Sequence, residues 1–96
     1  MMNSRKIEFK KSAKKFLKSR SRKEQVRILS KIYKLPSGEH IKKMEGYDSR
    51  YRLRIGDIRV IYEMHNEIAN VEDDIASVTI LFIYILEIGS RGDVYK

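Results

Sequence analysis

The sequence contains no cysteine, so it can form neither disulfides nor thiolate metal sites, and an intracellular protein is favoured. The N-terminal segment MMNSRKIEFKKSAKK has charges where a secretory signal would need an apolar stretch. The longest apolar run, Ile75 to Leu86, includes Ser77 and Thr79 and is too short to cross a bilayer as a helix. We therefore expect a soluble cytoplasmic protein without membrane association.

Several patterns that would indicate enzymatic cofactors are also missing. There is no Walker or Rossmann glycine pattern and no arguable Ser/His/Asp set. His40 and His65 lie far apart without supporting carboxylates, so no metal site is predicted, and no cofactor is expected. The 96 residues show no repeats, linkers or low-complexity tracts. A chain of this length builds one core, and we predict a single domain over residues 1–96.

Positive charge is concentrated in the first half of the chain. The net charge is +8, and residues 1–46 carry 15 Lys and Arg against 4 Asp and Glu, whereas residues 47–96 carry 6 against 9. Such asymmetry indicates a nucleic acid or an anionic membrane as partner, because basic side chains that neutralise phosphates release condensed counterions. The alternative is that the lysines lie on a solvated helical surface and only keep the protein soluble, without binding a partner.

The first third of the chain predicts a strand and two helices. Arg5 to Phe9 alternates between apolar and polar residues, as a short strand does. From Lys11 the spacing is helical, with Ala13, Phe16 and Leu17 on one face and three lysines, Lys14, Lys15 and Lys18, on the other. Ser21 and Glu24 form a capping box that starts a second helix, and Pro36-Ser37-Gly38 ends it.

Three further strands follow, beginning with a hairpin over Tyr51 to Tyr62 (YRLRIGDIRVIY). Gly56-Asp57 is a two-residue turn signal of type II′, and this turn sets the register so that Arg54 faces Arg59 and Arg52 faces Ile61. His65 to Asp74 is expected to be an exposed acidic loop. Ala76 to Ile88 is apolar on both faces, which predicts a strand that is either central or covered on both sides, and Gly89 ends it.

The order of these elements predicts an α+β fold. It has an N-terminal strand, a two-helix pair and then a three-stranded antiparallel meander, and together the strands form one mainly antiparallel sheet packed against the helices.

The predicted hairpin carries three arginines on one face: Arg52, Arg54 and Arg59. Arg54 and Arg59 would lie directly opposite each other with Cβ atoms ~5 Å apart, and like charges in this position destabilise a sheet. Anion binding explains the arrangement, because guanidinium groups recognise phosphate oxygens in a bidentate manner. The alternative is that nearby carboxylates fold over and pair with them, namely Asp48, Asp93 or those of the segment Glu72 to Asp74.

These segments resemble a known family. The sequence YRLRIGDIRVIYE at 51–63, followed by GSRGDVY at 89–95, resembles the RelE/ParE superfamily of toxin-antitoxin toxins, which has a basic strand, a G-D hairpin and a late G-x-R near a tyrosine. The resemblance extends over nearly the whole chain and includes the early strand, the paired basic helices and Met44-Glu45-Gly46.

The resemblance implies a RelE-like endoribonuclease, metal-independent, that cleaves mRNA in the ribosomal A site and inhibits translation. The implied partners are the ribosome with its rRNA, mRNA and a cognate antitoxin, with DNA only indirectly through an antitoxin complex. It also implies roles for five residues. Arg52 and Arg54 are the basic pair of the first hairpin strand, Arg59 stabilises the phosphate, Arg91 acts on the leaving group, and Tyr95 stacks on a base or transfers a proton. Lys14, Lys15 and Lys18 would contact rRNA phosphates.

Two positions depart from the family pattern. Relatives with lysines in the basic pair can use an amine as general base, whereas arginine almost never deprotonates in proteins, so Tyr95 or the ribosome would have to fill this role. Many members also continue into a helix after the tyrosine, whereas this sequence stops at Lys96, and regulation by displacing such a helix is not expected. The alternatives are a ParE-like toxin that binds and inhibits DNA gyrase without nuclease activity, and an inactive remnant that still binds an antitoxin.

Overall fold

A computed structural model of the chain describes residues 3–69 and 78–90. The described residues form five strands and two helices. The α+β class is as predicted, whereas the sequence predicted four strands. Their bounds are β1 Asn3–Phe9, α1 Lys11–Lys18, α2 Arg22–Ile32, β2 Ile41–Lys43, β3 Arg50–Ile55, β4 Ile58–Ala69 and β5 Val78–Ser90. Neither helix is long and apolar enough to cross a membrane within this part of the chain.

The strands form one mixed sheet in the order β1-β5-β4-β3-β2. The predicted antiparallel meander is confirmed, since β3 pairs with β4 and β4 with β5 in antiparallel fashion. Strand β1 pairs with β5 in parallel. Strand β5 lies between β1 and β4, so the last strand is central, which is one of the two possibilities that the sequence predicted.

Two parts of the sheet differ from the prediction. Ile41–Lys43, expected to be loop, is the edge strand β2, which sequence periodicity cannot reveal because it is three residues long and exists only through its pairing with β3. The expected loop from His65 is wrong as far as Ala69, because β4 continues to that residue and pairs with β5 through Ala69 and Val78. Backbone hydrogen bonds to β5 hold this polar stretch in the sheet, so it forms a strand although its sequence lacks the apolar alternation by which strands are recognised. The rest of the expected loop, from Asn70, lies outside the described residues.

The helices begin as the sequence predicts, but the second ends earlier. The Ser21 hydroxyl accepts a hydrogen bond from the Glu24 amide at 3.2 Å, so the serine half of the capping box is confirmed. Helix α2 ends at Ile32 with Tyr33 as its C-cap, one turn before Pro36. Leu35 is nevertheless fully buried, because the chain continues in a turn that keeps this side chain under the sheet. Strand β5, by contrast, ends one residue later than predicted, at Ser90.

The core lies between the helices and one face of the sheet. The fully buried side chains of α1 and α2 pack against alternate residues of the three central strands, and the members of this cluster are Ala13, Ile28, Ile32, Leu35, Leu53, Ile55, Ile58, Val60, Tyr62, Ile83, Ile85 and Ile88. Tyr62 stacks on Tyr51 with ring centroids 5.6 Å apart. Burial raises the pKa of Tyr62 to about 12, which keeps its hydroxyl neutral. The opposite face of the sheet, which we call the outer face, is not covered by the helices.

Candidate functional site

The turn between β3 and β4 fixes the geometry of the candidate site. Gly56 has φ +61°, and His40 is the only non-glycine residue with positive φ among the described residues, so Asp57 has negative φ, as the predicted type II′ turn requires. Arg27 of α2 supports the turn, because its guanidinium donates to the Ile55 carbonyl at 3.2 Å. A Cβ atom at Gly56 would meet the flexible end of the Arg27 side chain, which would have to move. The positive φ is therefore what favours glycine here.

The register set by this turn confirms the predicted arginine arrangement. Arg54 is the cross-strand partner of Arg59, and Arg52 that of Ile61. The three arginines lie on the outer face, because Leu53 and Val60, which alternate with them, belong to the core. We call Arg52, Arg54 and Arg59 the arginine row.

Arg59 is the most buried member of the arginine row. It is 8% exposed and is the only charged residue in the buried class within the described part of the chain. Its guanidinium donates to the Gly56 carbonyl at 3.3 Å, and its cross-strand neighbour on β5 is Gly89, which has no side chain to cover it. Removing a guanidinium from water is costly unless the charge is paired.

Arg50 lies on β3 and also on the outer face, but it is held in an ion pair within the protein. Its guanidinium donates to one Glu63 carboxylate oxygen, through Nε at 2.9 Å and NH2 at 2.5 Å, and His65 Nε2 lies 3.3 Å from the other oxygen. The hydrogen bonds from Arg50, followed by the contact with His65, lower the pKa of the Glu63 carboxyl, and the same pair raises the pKa of Arg50. By contrast, no carboxylate of the described residues is ion-paired with Arg54, which is exposed.

The Arg50–Glu63 pair predicts a pH-dependent contribution to stability. Because the folded state lowers the carboxyl pKa, the pair stabilises the protein above the carboxyl pKa of the unfolded chain, and this contribution disappears as the pH falls through the lower folded value. We expect Glu63→Gln to reduce the free energy of unfolding by less than about 1 kcal/mol at pH 7 and by progressively less toward pH 3. Urea denaturation at both pH values measures this, with Glu67→Gln, at an exposed position of the same strand, as control. An effect of Glu63→Gln that is independent of pH would contradict the prediction.

A fourth cation adjoins the arginine row and was not predicted. Lys42 of β2 is the cross-strand partner of Arg52, so two like-charged pairs, Lys42–Arg52 and Arg54–Arg59, lie side by side on the outer face. From the sequence, Lys42 could be assigned to this face only if Ile41-Lys42-Lys43 were recognised as a strand, and three residues are too few for that. Its position therefore depends on a pairing that the sequence does not show.

The three α1 lysines do not join this site. Lys14, Lys15 and Lys18 are exposed on α1, and α1 contributes Ala13 to the core on the helical side of the sheet. The sheet therefore separates these lysines from the arginine row. Any contact they make with rRNA phosphates would use a different surface.

Two of the five implied site residues, Arg91 and Tyr95, lie outside the described residues, so their placement relative to the arginine row is not described. The same holds for Asp93 and for the segment Glu72 to Asp74, which were alternative partners for the arginines. Asp48, the remaining alternative, is exposed.

A basic groove adjoins the arginine row at the β3 edge of the sheet. It has a volume of about 470 Å³ and is lined by side chains from the end of α2, the following connection and the hairpin, including Lys31, Lys34, Glu39, His40 and Arg54. The groove is open because β2 covers β3 only from Tyr51 to Leu53. Beyond that point His40, with φ +63°, accepts a hydrogen bond from the Arg54 amide at 3.0 Å.

The outer face combines a cluster of cations with the lack, among the described residues, of a group that could hold a metal ion. Residues 3–69 and 78–90 contain no group of three His, Cys, Asp or Glu side chains able to hold a metal ion. Besides Arg50, which is paired with Glu63, four cations from three adjacent strands lie on this face. Such an array can hold a phosphate and stabilise negative charge that develops on it.

Comparison of the sequence with models of known protein families gives no match, and comparison with curated protein sequences gives none either.

Proposed function

We propose that this protein is a RelE-like toxin of a type II toxin-antitoxin system, a ribosome-dependent endoribonuclease that cleaves mRNA in the ribosomal A site. The observation that carries the proposal is the arginine row, and within it the direct opposition of Arg54 and Arg59 on the outer face. Like-charged cross-strand neighbours cost stability. A phosphate bound between Arg54 and Arg59 would offset this cost.

The proposed reaction needs no metal ion. The 2′-oxygen of one nucleotide attacks the adjacent phosphorus in line, a new P–O bond forms, and the bond to the 5′-oxygen breaks. The products are a 2′,3′-cyclic phosphate and a 5′-hydroxyl end, and the proton lost by the 2′-hydroxyl balances the one gained by the 5′-oxygen. The extra negative charge on the phosphate in the transition state is the part that a cation cluster stabilises.

In this proposal the four cations hold two successive phosphates of the RNA. Arg59, held by the Gly56 carbonyl, and its partner Arg54 hold the oxygens of the scissile phosphate. Arg52 and Lys42, one row along the strands, hold the neighbouring phosphate of the same chain. The family resemblance adds Arg91 at the leaving oxygen and Tyr95 at the 2′-hydroxyl or a base. A general base is not supplied by Arg52 or Arg54, because arginine stays protonated.

Expression of the full chain in a bacterial host, followed by primer extension on translated mRNAs, tests the proposal. We expect growth arrest and new 5′-hydroxyl ends within codons at the A site, and the same cuts in a ribosome-containing extract but not on free RNA. Growth arrest with intact mRNA and an induced DNA-damage response would replace the proposal with the gyrase-inhibiting alternative. Harmless expression without cleavage would overturn it in favour of an inactive antitoxin-binding protein.

A further inference from the structure

We infer that the basic groove beside β3 is a second RNA site, which binds the sugar-phosphate backbone of a further nucleotide next to the one whose phosphate Arg54 and Arg59 hold. This inference rests on the proposed function for the identity of the polyanion. It goes beyond that function because it assigns a binding role to Lys31 and Lys34, which belong to the helical layer and not to the outer face.

The charges that line the groove favour an anion. Lys31, Lys34 and Arg54 are all exposed, and Glu39 is the one carboxylate among the lining residues. Counting His40 as neutral, the lining carries a net charge of +2. Clefts lined by one sign of charge concentrate the field and raise the local concentration of an oppositely charged ligand.

The position of the groove connects it to the arginine row. Arg54 lines the groove and is also the cross-strand partner of Arg59. Neighbouring strands lie ~5 Å apart, so a chain that leaves the Arg54–Arg59 pair and passes over β3 enters the groove within about one strand spacing. A continuous polyanion fits this geometry better than two separate small ions, because one residue contributes to both sites.

The size of the groove limits the occupant. A volume of about 470 Å³ lies within the range of ~300–1,000 Å³ that is typical of small-ligand sites, and it suits one nucleotide unit better than a helix or a folded partner. Its walls are also fixed by hydrogen bonds, because Arg54 N–H donates to the His40 carbonyl at 3.0 Å and Arg27 donates to the Ile55 carbonyl at 3.2 Å. The site is therefore formed before a ligand arrives.

The salt dependence of RNA binding tests the inference. A fluorescent single-stranded RNA is titrated with the full-length protein, with the double variant Lys31→Ala/Lys34→Ala, and with the control Lys6→Ala/Lys23→Ala, which removes the same charge from exposed positions outside the groove lining. Each phosphate contact contributes ~0.7 to the slope of log K against log salt for single strands. We expect the slope of the groove variant to fall by ~1.4 and that of the control to remain unchanged.

Three outcomes would overturn the groove as an RNA site. These are an unchanged slope in the groove variant, an equal loss in the control, and no binding of RNA by the unaltered protein at low salt. An equal effect of the groove variant on binding of a polyglutamate of matched charge would overturn the assignment to RNA in favour of a general polyanion surface.

Ribosome-dependent cleavage by the same proteins separates this inference from the proposed function. Cleavage by the unaltered protein together with an unchanged slope in the groove variant removes the groove and leaves the function. A reduced slope without any cleavage removes the function and leaves the groove.

Discussion

Replacing Arg59 by alanine is expected to lower the rate of ribosome-dependent mRNA cleavage by ~10²–10³-fold, the usual loss when one preorganised donor to a developing oxyanion is removed. Arg59 is 8% exposed, and the hydrogen bond to the Gly56 carbonyl fixes its guanidinium before substrate binds. The donor therefore does not have to be ordered during the reaction. Single-turnover primer extension on ribosomes programmed with a defined mRNA measures this rate.

A buried arginine can also support the fold, and two further variants separate this effect from catalysis. Arg59→Lys keeps the charge but not the bidentate geometry, so we expect it to fold and to retain more activity than the alanine variant but less than the unaltered protein. Lys6→Ala removes an exposed cation from β1 at the far edge of the sheet and is expected to cleave at the normal rate. A folded Arg59→Ala protein with an unchanged rate would show that Arg59 does not hold the scissile phosphate.

The second large effect is expected from reversing the charge of Arg54, which should raise stability and abolish activity together. Arg54→Glu replaces a like-charged cross-strand pair with an opposite-charged one, and such pairs differ by ~1 kcal/mol in sheets. In a domain of this size ~1 kcal/mol corresponds to a rise in Tm of ~4–8 °C. The same change places a carboxylate where a phosphate oxygen would bind, so we expect cleavage to fall by at least ~100-fold.

Thermal denaturation and the primer-extension assay on the same samples test both halves of this prediction. Arg54→Ala provides the intermediate, since it removes the repulsion without creating a new attraction. Reversal of Arg50, on the same strand, serves as the opposite control: Arg50→Glu breaks the ion pair with Glu63 and should lower stability. A lower Tm for Arg54→Glu would mean that the arginine pair does not destabilise the sheet. The opposition of Arg54 and Arg59 would then no longer support the proposed function.

The centre of the site was predictable because a two-residue turn determines the register of a hairpin. Gly56-Asp57 specifies the turn type, and from it the opposition of Arg54 and Arg59 follows without any knowledge of the remaining chain. The helix start at Ser21 was predictable for the same kind of reason, since a capping hydrogen bond spans only three residues. Both predictions depend on contacts that are local in sequence.

Features that depend on contacts between distant segments were missed. Lys42 reaches the outer face through the pairing of β2 with β3, and Lys31 and Lys34 line a groove only because the end of α2 lies beside the hairpin. The lysines of α1 satisfied a correct helical pattern, yet that pattern does not say on which side of the sheet the helix packs. The lysines predicted to bind RNA lie on α1, whereas the lysines that line the basic groove lie at and just after the end of α2.

The parallel pairing of β1 with β5 has a consequence for when the protein can act. Residues 3–9 find their hydrogen-bonding partners among residues 79–85, so the sheet cannot be completed until the last strand has left the ribosome that makes it. At ~5–20 residues per second, synthesis of the 96 residues takes ~5–20 s. Throughout this time the arginine row lacks the neighbouring strand β5. Under the proposed function, cleavage would therefore begin only after β5 has emerged and paired with β1.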